Sequence, residues 1–224
     1  MKVAFFETEA WQEAYLKEKL AGSIDGSELY FFAGPLSQEN IGSIKDCQIV
    51  SPFIYSQIDK EAIHKLSSLK MVTTRSTGFD HIDLISAKEN KITVCNVPFY
   101  GENTVAEHTF SLILALSRKL IDSVERARNG DFSVDGLQGF DLKDKTLGII
   151  GLGHIGLHVA RIANGFEMNV LAFNRSQDKK LAKRLGFKYV KTLDELLKNS
   201  DIVSLHLPLN KFTYHILNKK NILL

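Results

Sequence analysis

Residues 146–156 read Thr-Leu-Gly-Ile-Ile-Gly-Leu-Gly-His-Ile-Gly, and this stretch decides the fold of the chain around it. The apolar run Leu147, Ile149, Ile150 leads into Gly151-Leu152-Gly153-His154-Ile155-Gly156. A helical pattern follows, then a second apolar run ending at Phe173. Strand, glycine turn, helix and strand in that order give G-x-G-x-x-G its meaning as a dinucleotide-binding turn. Gly151 permits the tight turn, Gly153 lets backbone approach a pyrophosphate, and Gly156 lets helix and strand pack closely. The helix N-terminus, with His154 and Ile155 in its first turn, offers N–H groups and a positive dipole end to the phosphates.

About 20 residues past the glycines, such units normally carry an Asp or Glu that accepts from the ribose. Asn174-Arg175-Ser176 stands there instead. Loss of the carboxylate removes a repulsion against a 2′-phosphate, and Arg175 supplies a planar cation for it. One charge-assisted contact is worth about 1.5–3 kcal/mol, so these residues favour NADP over NAD. Arg175 packing on the adenine of a bound NAD is the alternative.

The rest of the chain is ordinary globular material. Its 224 residues carry 28 Lys and Arg against 26 Asp and Glu, a net charge of +2 that argues against a nucleic-acid surface. Cys47 and Cys95 sit in or beside apolar runs, as buried free thiols of a reducing compartment do. An acidic residue at Glu7 comes too early for a signal peptide, and the longest apolar stretch, 110–116, is too short for a membrane span. A cytoplasmic protein without membrane or nucleic-acid partners is expected.

Strands are expected at 3–6, 29–33, 48–51, 71–75 and 93–97, with helical spacing at 9–20, 59–66 and 82–89. Several strands are apolar on consecutive positions, the mark of parallel strands covered on both faces. Pro98 breaks this pattern. A long helix over 103–120 follows, with Asn103 or Thr104 as its N-cap. Its apolar positions run almost all round, which predicts burial on most sides, between domains or in a subunit interface. Beyond the glycine unit come helices at 178–185 and 193–197 and a strand at 201–207 ended by Pro208.

The stretch 75–83, Arg-Ser-Thr-Gly-Phe-Asp-His-Ile-Asp, joins a buried strand to a helix. Its small residues suit either backbone N–H groups turned toward an anion such as a carboxylate, or a plain turn.

Together with Asn96-Val97-Pro98, Thr104-Val105-Ala106-Glu107-His108 and the run 204–209, these segments resemble the D-isomer-specific 2-hydroxyacid dehydrogenase family. The matches lie in the family's order over nearly the whole chain. The resemblance implies an α/β fold with a Rossmann dinucleotide-binding domain inserted in a flavodoxin-like substrate domain. The expected boundaries are 1–98 for the substrate domain and 99–224 for the dinucleotide-binding domain, the last part of both missing. It also implies hydride transfer between a nicotinamide and a small D-2-hydroxy or 2-oxo acid, and a homodimer through the 103–120 helix. By the same resemblance Gly151, Gly153, His154, Ile155, Gly156, Asn174, Arg175 and Ser176 hold the cofactor, and Leu207, Pro208 and Thr213 flank its nicotinamide half. Thr77 and Gly78 hold the substrate carboxylate, and Tyr100 faces the substrate, with Phe99 as an alternative in that place.

The family's catalytic Arg, Glu and His come later than the 218–224 region, and none of them is matched here. His108 and His206 read as structural. His64, His158 and His215 have no carboxylate partner at a suggestive spacing, and His81 reads as capping or stabilising the helix after its loop. No metal-ligand cluster is visible. A non-catalytic dinucleotide-binding module and a formate- or phosphite-type dehydrogenase are the rival readings.

Overall fold

The computed structural model describes residues 1–24 and 28–224, and the chain divides into two compact units, Met1–Tyr100 and Gly101–Leu224. In the first unit short apolar runs form parallel strands: β1 (Lys2–Phe5), β2 (Glu28–Phe31), β3 (Ile49–Ser51), β4 (Met71–Thr73) and β5 (Thr93–Cys95). Among the described residues they make one sheet in the order β2-β1-β3-β4-β5. That is the flavodoxin-like order, with its topological switch point between β1 and β3. The register sets Val3 beside Ile49 and Val50 beside Val72, so the sheet's centre is continuous apolar surface. Ala4, Val50 and Val72 are fully buried there. Helices α1 (Ala10–Leu20), α2 (Lys60–Lys65) and α3 (Leu84–Glu89) join the strands.

The second unit opens with two helices, α4 (Glu102–Ser117) and α5 (Leu120–Arg128). It continues as β6 (Thr146–Ile150), α6 (His154–Gly165), β7 (Asn169–Phe173), α7 (Lys179–Leu185), β8 (Lys188–Tyr189), α8 (Leu193–Lys198) and β9 (Ile202–Leu205). Its parallel sheet runs β8-β7-β6-β9, the strand order of a Rossmann half. Central strand β6 buries Leu147, Ile149 and Ile150 completely, each worth about 1.5–3 kcal/mol against exposure. A Cβ on Gly148 would stand 2.5 Å from Leu196 Cδ2, so that glycine is what lets α8 lie directly on β6. Helix α6 turns its small residues Gly156, Val159, Ala160 and Ala163 inward, where Ala106, Phe110 and Ile113 of α4 join the same core.

Several expectations need correcting. The helix expected over 103–120 is two helices: α4 ends at Ser117, Lys119 takes a left-handed φ of 53°, and α5 starts at Leu120. A Cβ on Gly139 would fall 2.0 Å from Ser117 O, and Phe140 N–H donates to that same carbonyl; a returning strand of backbone therefore crosses this break. The N-cap of α4 is Gly101, ahead of the expected Asn103 or Thr104. Within this one chain α4 is covered on one face, and its expected burial between domains or subunits is untested. Ala106, Phe110, Ile113 and Ser117 are covered, while Val105, Leu112 and Leu116 face outward. Strand β4 stops at Thr73, leaving Arg75 in the loop, and strands β5 and β9 end two residues early. Cys47 is buried as expected, but Cys95 is partly exposed. Among the described residues no helix is long and apolar enough to cross a membrane, and no group of His, Cys, Asp and Glu is arranged to hold a metal.

Candidate functional site

The three glycines of the turn have different surroundings. Gly151 sits at φ +93°, and a Cβ on it would lie 2.5 Å from His206 O. On Gly156 a Cβ would lie 2.3 Å from Gly151 O, so that glycine brings helix α6 against the turn. At Gly153, the N-cap of α6, a Cβ would meet no atom within 4 Å, because this position opens outward. No side chain caps α6 and no acidic residue occupies its first turn. The positive end of a 12-residue helix is therefore left available to an anion.

Around this turn lies a cleft of about 540 Å³ at the carboxyl ends of β6, β7 and β9, its walls including Leu152, Phe173, Arg175, Pro208 and Phe212. Gly151, Gly153, Asn174, Leu207 and Thr213, all expected from sequence, also line it. Asn174 does a specific job there. Its Oδ1 accepts from Leu152 N–H at 3.3 Å, and its Nδ2 donates to Ser176 O at 2.8 Å and Ser176 Oγ at 3.3 Å. The loop after β7 is thus tied to the glycine turn. Arg175 is exposed and makes no ion pair among the described residues. Thr213 closes the opposite wall by donating to Pro208 O at 2.6 Å while accepting from Asn210 N–H at 2.9 Å.

Of the remaining expected residues, Ile155 is half-buried beside the helix core. His154 exposes its ring, with Nδ1 3.5 Å from Glu102 Oε1. His206 lines the cleft, Nε2 2.9 Å from Ser204 Oγ, and burial pushes its pKa below the ordinary histidine value.

The loop after β4 carries the other candidate set. Thr77 Oγ1 donates to Val97 O at 2.9 Å, and Asn96 Nδ2 donates to Thr77 O at 2.8 Å. Ser76 Oγ donates to Gly78 O at 2.7 Å. With both carbonyls held, the N–H groups of Thr77 and Gly78 donate to no protein acceptor among the described residues. Both residues are exposed, so these two adjacent N–H groups face solvent. His81 does not cap the following helix; Asp83 does, accepting from Ile85 N–H and Ser86 N–H at 3.0 Å each. The buried His81 ring instead meets Thr74 Oγ1 at 3.2 Å beneath the loop, and desolvation holds its pKa below the usual value against the opposing charges of Asp80 and Glu7. Tyr100 is exposed, as is Phe99, so exposure does not separate the two.

Sequence reasoning passed over Glu7. Its φ is 57°, and its carboxylate accepts from the N–H groups of Phe53, Ile54, Tyr55 and Ser56 and from Ser56 Oγ. Only the early acidic residue after an apolar strand marked it in sequence. Phe212, Asn210 and Ile216 of the cleft wall carried no local signal.

Residues 110–224 match the family model described as D-isomer specific 2-hydroxyacid dehydrogenase, NAD binding domain. The chain is 36% identical over 225 residues to a 2-hydroxyacid dehydrogenase homolog of Zymomonas mobilis, an alignment covering 99% of this chain and 67% of that protein. Among solved structures it is similar to a D-lactate dehydrogenase from Aquifex aeolicus complexed with NAD and lactic acid. The TM-score is 0.89 at 35% identity, covering 98% of this chain and 64% of that one. An acyclic imino acid reductase complexed with NADPH and D-Arg gives a TM-score of 0.85 at 34% identity, covering 99% and 70%. The chain spans about two thirds of the length of these relatives. It belongs to the D-isomer specific 2-hydroxyacid dehydrogenase family, with the NAD-binding domain in its second half.

Proposed function

We propose that the protein is a nicotinamide-dependent oxidoreductase that interconverts a small D-2-hydroxy acid and its 2-oxo acid. The observation that carries this reading is that each unit has its own loop suited to an anion. One is the open Gly153 turn on α6, and the other is the Thr77–Gly78 loop with its two unpaired N–H groups. The second unit, nominally 99–224, takes the dinucleotide; the first, nominally 1–98, takes the substrate carboxylate. When bound, the nicotinamide supplies the hydride that reduces C2 of the 2-oxo acid. The chain's own contribution is to hold the pyrophosphate at the Gly151–Gly156 turn and His154–Ile155, and to wall the nicotinamide side with Leu207, Pro208 and Thr213. Thr77 and Gly78 orient the carboxylate, with Tyr100 on the substrate side. Orientation of this kind removes a large part of the barrier to a bimolecular reaction. No residue among 1–224 is assigned the proton transfer.

Arg175 favours NADP as the dinucleotide, since an unpaired guanidinium beside Asn174 and Ser176 suits a 2′-phosphate. The outward row Val105, Leu112 and Leu116 on α4 favours a homodimer through that helix. Fluorescence titrations of NADPH and NADH test the cofactor assignment. Arg175→Ala is expected to weaken NADPH about tenfold to a hundredfold and leave NADH within about twofold. Equal loss for both dinucleotides, or no loss for NADPH, overturns it.

A further inference from the structure

The switch point of the first sheet, between β1 and β3, is where an open parallel sheet offers its ligand crevice. Four consecutive N–H groups at the end of β3 converge there: Phe53 (2.9 Å), Ile54 (3.0 Å), Tyr55 (2.6 Å) and Ser56 (3.3 Å). Successive main-chain N–H groups aimed at one point form an anion cradle. In this chain the anion is the side chain of Glu7, at the end of β1. To deliver it, Glu7 adopts a left-handed φ of 57°, a conformation disfavoured for residues with a Cβ. Burial acts to raise the Glu7 pKa, and the hydrogen bonds from Ser56, Phe53, Tyr55 and Ile54 overcome it, leaving the group below the ordinary glutamate value.

The cradle is wired to the neighbouring loop. The Arg75 guanidinium donates to Ser51 O at 2.7 Å, Phe6 O at 2.6 Å and Glu7 O at 3.0 Å, and Arg75 N–H donates to Pro52 O at 3.0 Å. Thr74 Oγ1 lies 3.0 Å from Phe53 O and 2.6 Å from Ser76 Oγ, and Ser76 Oγ lies 2.7 Å from Gly78 O; the two hydroxyl protons serve two of these three links at a time. Glu7, the 53–56 loop and the Thr77–Gly78 loop thus form one hydrogen-bonded assembly along the sheet's carboxyl edge.

We propose that Glu7 is a positioning residue for the substrate site. Its carboxylate replaces an external anion in the 53–56 cradle, locks that loop, and through Arg75, with the Thr74 and Ser76 hydroxyls beside it, sets the Thr77–Gly78 amides for the substrate carboxylate. The last step rests on the substrate assignment made under Proposed function; the clamp itself does not.

Amide hydrogen exchange on the full 224-residue chain tests it, with Glu7→Gly and Glu7→Gln as variants. Glycine accepts the left-handed backbone and leaves the cradle empty, and formate is a carboxylate head without its stem. In Glu7→Gly the amides of 53–56 exchange at least about tenfold faster, a local opening. Formate at roughly 1–100 mM, the range open to so small a ligand, restores their protection, and its neutral counterpart formamide does not. Parental exchange in Glu7→Gly, or no difference between formate and formamide, overturns the clamp. Glu7→Gln keeps the shape without the charge. Pyruvate protection of the Thr77 and Gly78 amides is expected to need about tenfold more pyruvate in it, with NADH affinity unchanged within about twofold. An unshifted pyruvate midpoint overturns the positioning role. Absence of any pyruvate protection in the parent chain overturns the substrate assignment instead, while the formate result still decides the clamp.

Discussion

Two glycines of the α6 turn, Gly156 and Gly153, have opposite surroundings, and alanine at each separates folding from cofactor binding. A methyl on Gly156 would lie 2.3 Å from Gly151 O and 3.3 Å from Gly151 C, against an ordinary contact of 3.4–4 Å. The offending atoms are backbone, so turn and helix must part by about 1 Å, and overpacking of this order costs about 1–3 kcal/mol. Alanine's better helix propensity returns only about 1 kcal/mol of that. The same displacement pulls the turn out of register with a pyrophosphate. Loss of even one charge-assisted hydrogen bond, about 1.5–3 kcal/mol, weakens binding at least about tenfold. Gly153→Ala meets no protein atom within 4 Å and keeps a φ of −81°. Its stability cost is that of a poorer N-cap, about 1 kcal/mol or less. Yet its methyl stands on the side from which a phosphate must approach. Urea unfolding paired with NADH and NADPH fluorescence titrations reads both effects. Gly156→Ala is expected to lose stability and affinity together, and Gly153→Ala to lose affinity with a stability loss of about 1 kcal/mol or less. Parental dinucleotide affinity in Gly153→Ala would refute the assignment of this turn to the pyrophosphate.

Three further outcomes are expected. Glu7 titrates below the ordinary 4.5 in the folded chain, so its contribution to stability is complete above that value and is lost as pH falls through the lower folded pKa. Acid unfolding of Glu7→Gln should therefore show a shallower pH dependence below about 4.5 than the parent, with the nearby charges of Arg75 and His81 common to both. Thr74→Val removes the one hydroxyl within reach of Phe53 O, Ser76 Oγ and the buried His81 ring, and should cost about 1–3 kcal/mol in urea unfolding. Leu116→Lys places a charge in the outward row of α4; light scattering should show a smaller assembly, and an unchanged mass would remove α4 from the interface.

Legibility in the sequence followed the locality of the physics. The glycine turn was readable because its three glycines stand within six positions of one another and Gly156 packs on Gly151 itself, although the neighbour that demands Gly151, His206 O, is 55 positions away. The consecutive apolar residues of β1 and β3 announced a sheet covered on both faces. The break at Lys119 was not readable, since a left-handed lysine carries no mark and the segment that crosses it, at Gly139, lies 20 residues on. His81 was assigned to the wrong partner because its ring contacts Thr74, seven residues back, while Asp83 beside it had the standard capping spacing. Glu7 escaped for the same reason at longer range. Its partners are 46 to 49 residues away, brought near only by the crossover that sets β3 beside β1.

The amide of Asn174 also constrains how cofactor choice can change over evolutionary time. Its oxygen receives the Leu152 N–H while its nitrogen gives to Ser176 O, so both ends of the group are committed with opposite polarity. A change to aspartate would turn the donating end into an acceptor facing the Ser176 carbonyl, two oxygens in repulsion across a distance set for a hydrogen bond. Substitution at 174 is therefore epistatic with 176. A carboxylate at 174 would need the Ser176 hydroxyl, now 3.3 Å from the amide nitrogen, to turn and become its donor, so the two positions constrain each other.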